Sequence, residues 1–262
     1  KNTRVKEALK FTGIQSGVEI STFADLPTKT GLGSSSSFSC ALLKNLYALQ
    51  KKDTTREEIA QKACHIEIDK LKEPIGKQDQ YAASYGGMNL FQFNEDETVD
   101  ITPFNSSRKE EFENSLLLFF TGMTRDAKSV LIEQKNNIEK KFNTLREMSD
   151  GVYDFMQRIK IGDFEGAGYK IHEHWLKKKS LARNVSNENI DFLYLKGIEH
   201  GAWGGKLVGA GNGGCLLFMA PQEKHKNIIE EISKRAKELK LEGFKYIPFK
   251  FTDFGTTVLY EQ

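Results

Sequence analysis

A glycine- and serine-rich stretch near the start of the chain has the composition of an anion-binding loop. Gly31-Leu32-Gly33 leads directly into Ser34–Ser37 and then into a long apolar segment that favours a buried helix. Glycine lets the backbone approach a ligand closely, and the first turn of a helix presents unpaired N–H groups at the positive end of its dipole. Such a junction can hold a phosphate, with the serine hydroxyls as further donors. The alternative is that Ser34 only caps the helix and the glycines only make a turn.

The two most common phosphate-binding motifs are absent from the chain. No G-x-x-x-x-G-K followed by Ser or Thr occurs, which excludes a P-loop. No G-x-G-x-x-G follows the first predicted strand, which excludes the dinucleotide fingerprint. The chemistry of the loop therefore belongs to another class of nucleotide-binding protein, or the loop has no such chemistry.

Composition sets the bounds for the elements that must position this loop. The chain has 262 residues, 39% of them hydrophobic, which suits one large domain or two intimate ones. A net charge of +2 gives no reason to expect nucleic acid or a membrane as a partner. No apolar run approaches the roughly 20 residues of a membrane span. Three cysteines, an odd number without a C-x-x-C spacing, favour a reducing, cytoplasmic compartment, and the apolar stretch around each of them predicts a buried thiol.

The predicted elements alternate irregularly, which indicates a mixed α+β chain. Helices are predicted at about 4–11, 38–49, 55–71 and 80–85, over much of 126–200, and at 222–239. Strands are predicted at about 18–23, 88–93, 97–101, 116–120, 206–208, 215–218, 245–251 and 256–260. The polar stretch 105–114 is the weakest join and therefore the candidate domain boundary.

Three stretches together resemble the motifs of the GHMP kinases, the superfamily of galactokinase, homoserine kinase and mevalonate kinase. Pro27–Ser37 matches P-x-x-x-G-L-G-S-S followed by Ala or Ser at every defined position. Glu73–Tyr81 resembles the segment with the family's catalytic Asp, and Gly205–Gly214 looks like the third family motif. Thr121–Arg125 and His174–Ser180 look like the D-glycero-D-manno-heptose 7-phosphate kinase branch.

The resemblance covers nearly the whole chain and implies its fold. The expected fold is α+β, with a ribosomal protein S5 domain 2-like N-terminal domain at 1–112 and a ferredoxin-like C-terminal domain at 113–262. Family members begin with a strand carrying Pro-x-Arg and a Gly-Gly-Gly-Thr-Asp-like loop that shapes the ATP site. Nothing similar precedes Lys1, so the chain is expected to lack the first strands of its N-terminal domain, and its activity as printed is left open.

The resemblance also implies an activity, namely ATP- and Mg²⁺-dependent phosphorylation of a small-molecule sugar phosphate. The first-choice acceptor is the anomeric hydroxyl of D-glycero-D-manno-heptose 7-phosphate, which would give the 1,7-bisphosphate. The alternatives are a kinase for another sugar, of the fucose or galactose type, a non-catalytic nucleotide or sugar sensor of the same fold, and a related ATP-using decarboxylase. The oligomeric state is left open, with a homodimer as one option.

The family motifs assign roles to single residues. Asp79 would face the acceptor hydroxyl as a base or an electrostatic anchor; the alternative is that it only caps a short helix. Glu67 maps onto the acid that holds Mg²⁺ together with Ser35, a pair of hard oxygen ligands that suits this ion. Lys70 and Lys72 offer another way to offset the charge of Glu67 at a helix end.

The remaining site residues are implied for the phosphates of ATP and for the sugar substrate. The ATP phosphates are expected at Gly31, Leu32, Gly33, Ser34, Ser35 and Ser36. The sugar or its phosphate is expected at Gly76, Lys77, Gly211, Gly213, Gly214 and Arg125. The alternatives are a late glycine turn without function and an arginine that is merely on the surface.

Overall fold

The computed structural model describes residues 2–26, 28–124 and 128–260. Chain contacts divide these residues into two compact units. The first unit comprises the described parts of Lys1–Thr28, Gly33–Asn105 and Phe251–Gln262, and the second comprises those of Lys29–Leu32 and Ser106–Lys250. The domain bounds at 1–112 and 113–262 stay a prediction.

Four α-helices form most of the first unit. They are α1 (Thr3–Thr12), α2 (Ser34–Leu49), α3 (Arg56–Cys64) and α4 (Gln78–Tyr85). Asn2 begins α1 by accepting hydrogen bonds from two backbone N–H groups, and Gly13 ends it in the left-handed conformation. Thr55 and Glu58 form the predicted capping box of α3. The apolar faces of these helices bury Leu43, Ile59 and Ile66 in a common core.

Helix α3 continues into a π-helical stretch, His65–Lys70, in place of the regular last turn that the sequence predicts. Apolar spacing does not distinguish an α-turn from a π-turn, since one inserted residue leaves the flanking pattern almost unchanged. The stretch contains Glu67, whose side chain it directs into the interior. π-Turns are rare in proteins and concentrate at functional sites.

A β-hairpin completes the first unit as the sequence predicts. Strands β1 (Asn89–Phe93) and β2 (Val99–Pro103) pair in antiparallel register. Tyr81 of α4 meets the ring of Phe91 edge to face, with ring centroids 6.1 Å apart. This aromatic contact packs the hairpin against α4.

The second unit contains a four-stranded antiparallel sheet in the order β4-β5-β3-β6. Its strands are β3 (Leu116–Phe120), β4 (Gly204–Leu207), β5 (Cys215–Met219) and β6 (Lys245–Tyr246). Its α-helices are α5 (Lys109–Asn114), α6 (Lys128–Asn136), α7 (Phe142–Ile161), α8 (Phe164–Lys179), α9 (Glu188–Glu199) and α10 (Gln222–Glu238), with a 3₁₀ turn at Glu139–Lys141. The sequence of strand, helices, two strands, helix and strand, with this strand order, is the predicted ferredoxin-like arrangement.

The core of the second unit lies between the sheet and its helices. All five residues of β3 are buried, as its apolar run predicts. Phe119, Phe218 and Trp175 are wholly buried, and Tyr194 of α9 stacks on Phe218. This packing fixes α8 against β4, and both elements lead to the glycine turn described below.

Two predicted strands are absent from the described structure. Residues 18–23 and 256–260 have no strand assignment, and Phe23 and Leu259 are 97% and 93% exposed. A strand needs a neighbouring strand for its ladder of backbone hydrogen bonds, and neither segment has one among the described residues; Thr256 N–H donates instead to Ala83 O of α4. Conversely, α5 forms within the polar stretch predicted as a join. No helix in the described ranges is long and apolar enough to cross a membrane.

Candidate active site

The serine-rich loop places its serines in the first turn of α2. Gly33 is the N-cap residue with φ of 69° and makes no side-chain cap, so Ser34 is not the cap. The first helical hydrogen bond runs from Ser37 N–H to Gly33 O at 2.9 Å. The N–H groups of Ser34, Ser35 and Ser36 have no backbone acceptor among the described residues, and they lie at the positive end of a 16-residue helix. This is the geometry of an anion site.

Asp79 lies beside this helix start. A Cβ built on Gly33 would be 3.4 Å from Cγ of Asp79, which places the carboxyl group against the loop. Asp79 is in the first turn of α4 but makes no capping hydrogen bond, nor any other within the described parts of the chain. Asp79 is exposed to solvent, yet the neighbouring segments still desolvate its carboxyl group in part; this desolvation, and then the negative charge of Glu67, raise the pKa of that carboxyl. An unpaired carboxylate of raised pKa is suited to accept a proton.

Glu67 has the opposite surroundings. It is 0% exposed. Oε1 accepts hydrogen bonds from the hydroxyls of Ser35 at 3.0 Å and Ser39 at 2.8 Å. Oε2 accepts from the hydroxyl of Ser36 at 2.9 Å and from Nε2 of Gln80. The carboxylate therefore ties α2 and α4 to the π-helical stretch by four side-chain hydrogen bonds.

An arginine that sequence reasoning missed completes the surroundings of Glu67. Nε of Arg4 donates to Oε1 of Glu67 at 3.1 Å, and Nη2 of Arg4 donates to Glu73 at 2.6 Å. No motif marks Arg4, because its role depends on how α1 packs against distant segments. The serines carried a signal, since Ser35, Ser36 and Ser39 share one face of a helix at i, i+1 and i+4 spacing.

Two predicted substrate residues, Gly76 and Lys77, lie apart from this cluster. Lys77 precedes α4 and forms an ion pair with Glu97 of the hairpin loop. Gly76 has no described atom within 4 Å of a built Cβ. Neither residue contacts the Glu67 cluster in the described structure.

In the second unit, the glycine turn 209–214 packs backbone to backbone against residues 30 and 31. A Cβ on Gly214 would be 2.4 Å from Thr30 O, and a Cβ on Gly31 would be 2.7 Å from Val208 O. Both glycines also have positive φ, of 102° and 78°. The close approach therefore requires glycine on both sides. It brings Gly31, from the predicted ATP loop, to the predicted third motif.

Hydrogen bonds from several segments hold the glycine turn in place. The hydroxyl of Thr121 donates to Gly214 O at 2.7 Å, Gly214 N–H donates to Met123 O at 2.8 Å, and Asn212 N–H donates to Val185 O at 2.9 Å. Other N–H groups of the turn have no acceptor among the described residues, those of Gly209, Ala210, Gly211 and Gly213. A row of free backbone N–H groups in a glycine turn is an anion-binding concavity.

The predicted residues thus fall into two sets. The first unit brings together Gly33, Ser34, Ser35, Ser36, Glu67 and Asp79. The second unit brings Gly31 and Leu32 to the turn with Gly211, Gly213 and Gly214. Arg125, and Pro27 of the loop motif, lie outside the described residues.

The residues around Glu67 fit a magnesium ion in donor type, spacing and charge. Mg²⁺ takes oxygen ligands octahedrally, which sets neighbouring ligand oxygens about 2.9 Å apart. Oγ of Ser35 and Oε1 of Glu67 are 3.0 Å apart. Glu67, Glu73 and Asp79 carry three negative charges against the one positive charge of Arg4, which leaves room for a cation. Such a cation would share Oε1 of Glu67 with Arg4.

The fold and the two sets of site residues define a phosphotransferase of the GHMP class. Residues 3–87 match the family model for the GHMP kinases N terminal domain, and residues 155–238 match the model for the GHMP kinases C terminal domain. The chain belongs to the GHMP kinase family.

Individual relatives are sugar kinases. A D-glycero-alpha-D-manno-heptose 7-phosphate kinase of Campylobacter jejuni is 29% identical over 228 residues, covering 86% of this chain and 67% of that protein. A galactokinase of Thermococcus kodakarensis is 30% identical, covering 87% of this chain and 70% of that protein. The solved structure of a D-glycero-D-manno-heptose 1-phosphate kinase from Bacteroides thetaiotaomicron is similar in fold, with a TM-score of 0.76 at 22% identity. The alignment covers 97% of this chain and 72% of that protein's chain.

Proposed function

We propose that this chain carries the site of an ATP- and Mg²⁺-dependent kinase that phosphorylates a hydroxyl of a sugar phosphate. The first-choice acceptor is the anomeric hydroxyl of D-glycero-D-manno-heptose 7-phosphate, with the 1,7-bisphosphate as product. Membership of the GHMP kinase family supports phosphoryl transfer from ATP. The heptose phosphate relative supports the acceptor, at an identity of 29% that leaves the sugar to experiment.

The observation that carries the proposal is the unpaired Asp79 carboxyl beside the free N–H groups of α2. The helix start would bind phosphate oxygens of ATP, and the raised pKa of Asp79 would make its carboxylate a better base. As the acceptor hydroxyl oxygen attacks the γ-phosphorus, its proton would pass to Asp79, and the bond to the leaving ADP oxygen would break.

The Ser35–Glu67 pair would hold the magnesium ion. When bound, Mg²⁺ neutralises the phosphate charge that develops during transfer. Glu67 is prepared for this role because four neutral hydrogen bonds fix its carboxylate without neutralising it. Among the described residues, Arg4 is the one ion-pair partner that offsets its charge directly.

A substrate panel tests the proposal. ADP release is measured with D-glycero-D-manno-heptose 7-phosphate, D-glycero-D-manno-heptose, fucose and galactose, each with and without Mg²⁺. We expect turnover that needs the ion and is fastest with the phosphorylated heptose. The galactokinase relative favours a second candidate, an unphosphorylated sugar. Turnover on unphosphorylated sugars alone would replace the first acceptor with the second, and no turnover on any sugar would refute the kinase proposal.

A further inference from the structure

A buried lysine contacts the glycine turn from the last turn of α8. Lys178 is only 9% exposed. Its Nζ donates to Leu207 O at 3.0 Å and also to Gly209 O. Within the described parts of the chain it has no carboxylate partner, in contrast to Lys177 and Lys179 on either side, which pair with Glu147 and Asp191.

A buried ammonium group without an anion is unfavourable in a folded protein. Burial, and then the neighbouring charge of Lys206, lower the pKa of Lys178 to about 7. His174, one turn earlier on α8, has a lowered pKa of about 4 for the same reasons, and its Nδ1 has no described partner. An apolar side chain would fill this space at lower cost, so packing does not account for the lysine.

The two carbonyl groups bound by Lys178 control the direction of the turn. Within a planar trans peptide, the C=O and the following N–H point in opposite directions. Holding Gly209 O against Lys178 therefore turns the N–H of Ala210 away from it. Val208 N–H is already used, since it donates to Cys215 O at 2.9 Å. Three of the four free N–H groups of the turn, those of Ala210, Gly211 and Gly213, thus follow the last carbonyl group that Lys178 binds.

The charges around the turn also favour an anion. Lys206 on β4 lies close enough to Lys178 on α8 for its charge to lower the pKa of Lys178, and the ammonium group of Lys206 makes no hydrogen bond with a described residue. Free N–H groups and nearby cations both stabilise bound phosphate oxygens.

We propose that Lys178 is a positioning residue: it fixes the carbonyl groups of Leu207 and Gly209 and supplies positive charge, so that the 209–214 turn binds a phosphate group of the nucleotide. This inference rests on the proposed kinase function and adds to it a role for a residue to which the sequence motifs assign none. It concerns nucleotide affinity and therefore does not depend on which sugar is the acceptor.

The test compares three variants with the wild type. Lys178→Met keeps the length and removes charge and donors, and Lys178→Arg keeps charge and donors. Lys177→Met is the matched control, because Lys177 is the adjacent lysine and pairs with Glu147 at 2.9 Å. Affinity for MgADP is measured by calorimetry, and the melting temperature is measured by circular dichroism. KM for ATP and kcat are measured with the best sugar of the panel.

We expect Lys178→Met to bind MgADP about 10- to 100-fold more weakly, since two hydrogen bonds to a charged group are lost, and to raise KM for ATP. Lys178→Arg should recover part of this affinity, and Lys177→Met should match the wild type. A merely structural lysine would lower the melting temperature and the active fraction at unchanged affinity. Wild-type affinity in Lys178→Met overturns the inference, and so does a wild type that fails to bind MgADP. A wild type that binds MgADP without turning over any sugar refutes the kinase proposal while the binding comparison still decides the role of Lys178.

Discussion

At the scale of single residues, two carboxylates of the first unit have the same charge and opposite surroundings. Glu67 is buried, accepts five side-chain hydrogen bonds and is paired with Arg4. Asp79 has no hydrogen-bond partner among the described residues and a raised pKa. Such a difference between neighbouring acids is typical of a site that divides anchoring from proton transfer.

Replacing Asp79 by Asn should lower turnover by about 100-fold, because the amide cannot accept the hydroxyl proton. Since Asp79 makes no described hydrogen bond, the melting temperature should stay within about 2 °C of the wild type, as for surface substitutions. A steady-state assay measures the turnover, and thermal unfolding followed by circular dichroism measures the melting temperature. The matched control is Asp96→Asn in the hairpin loop, which should keep turnover.

The pH profile of the wild type is a second test of Asp79 as the base. A base acts when deprotonated, so turnover should fall as pH drops through its pKa, and this acid limb should lie above the ordinary range of an aspartate because the pKa is raised. The limb should be missing from Asp79→Asn. An unchanged limb in that variant, or undiminished turnover, would assign the proton transfer elsewhere.

Motif residues were the predictable part of the site. The resemblance to the family motifs predicted Ser35, Glu67 and Asp79, and the structure brings the first two within hydrogen-bonding distance. Arg4 and Gln80 were not predictable, because their contacts with Glu67 join segments 63 and 13 residues apart. Sequence patterns encode faces of elements, whereas these contacts depend on how whole elements pack.

At the scale of elements, one close contact in the second unit joins two backbones. The 30–31 segment and the 208–214 turn approach so closely that neither Gly31 nor Gly214 has room for a Cβ. The sequence predicted both glycine-rich segments but not their contact. It also could not predict the π-turn at His65–Lys70 or the missing pairing of residues 18–23, since each depends on a neighbouring element.

Gly31→Ala should destabilise the chain by about 1–3 kcal/mol, because the added Cβ meets Val208 O and the left-handed conformation is strained. Gly151→Ala, in the middle of α7 with no described atom within 4 Å, should instead stabilise by about 0.5–1 kcal/mol. Urea unfolding measures the change in the free energy of unfolding for each variant. Equal unfolding midpoints for the two variants would show that the backbone contact does not constrain the fold.

At the scale of the whole molecule, all three thiols are buried and free. Burial raises the pKa of Cys40 and Cys64 to about 12 and that of Cys215 to about 11. Thiolates are the reactive form of cysteine, so none of the three should react readily at neutral pH. The apolar sequence context of each cysteine predicted this burial.

The native chain should therefore resist labelling by 5,5′-dithiobis(2-nitrobenzoic acid) at pH 7.5, and three thiols should react once it is unfolded in guanidinium. Absorbance at about 412 nm follows the released product. MgADP should not change the native rate, because the thiols are protected by the fold. Rapid labelling of even one thiol in the native chain would contradict the burial described here.

The first unit closes with the last described residues of the chain. Thr256 N–H donates to Ala83 O and Gly87 N–H to Thr252 O, both at 3.0 Å, and Gly86 lies against the backbone of Phe254 and Gly255. These contacts support the end of α4, the helix that carries Asp79. A ribosome makes α4 well before it makes residues 251–260, so the whole second unit is synthesised while that support is missing. The candidate base thus gains this support only after residues 251–260 have been synthesised, so completion of the first unit depends on a segment that follows the whole second unit.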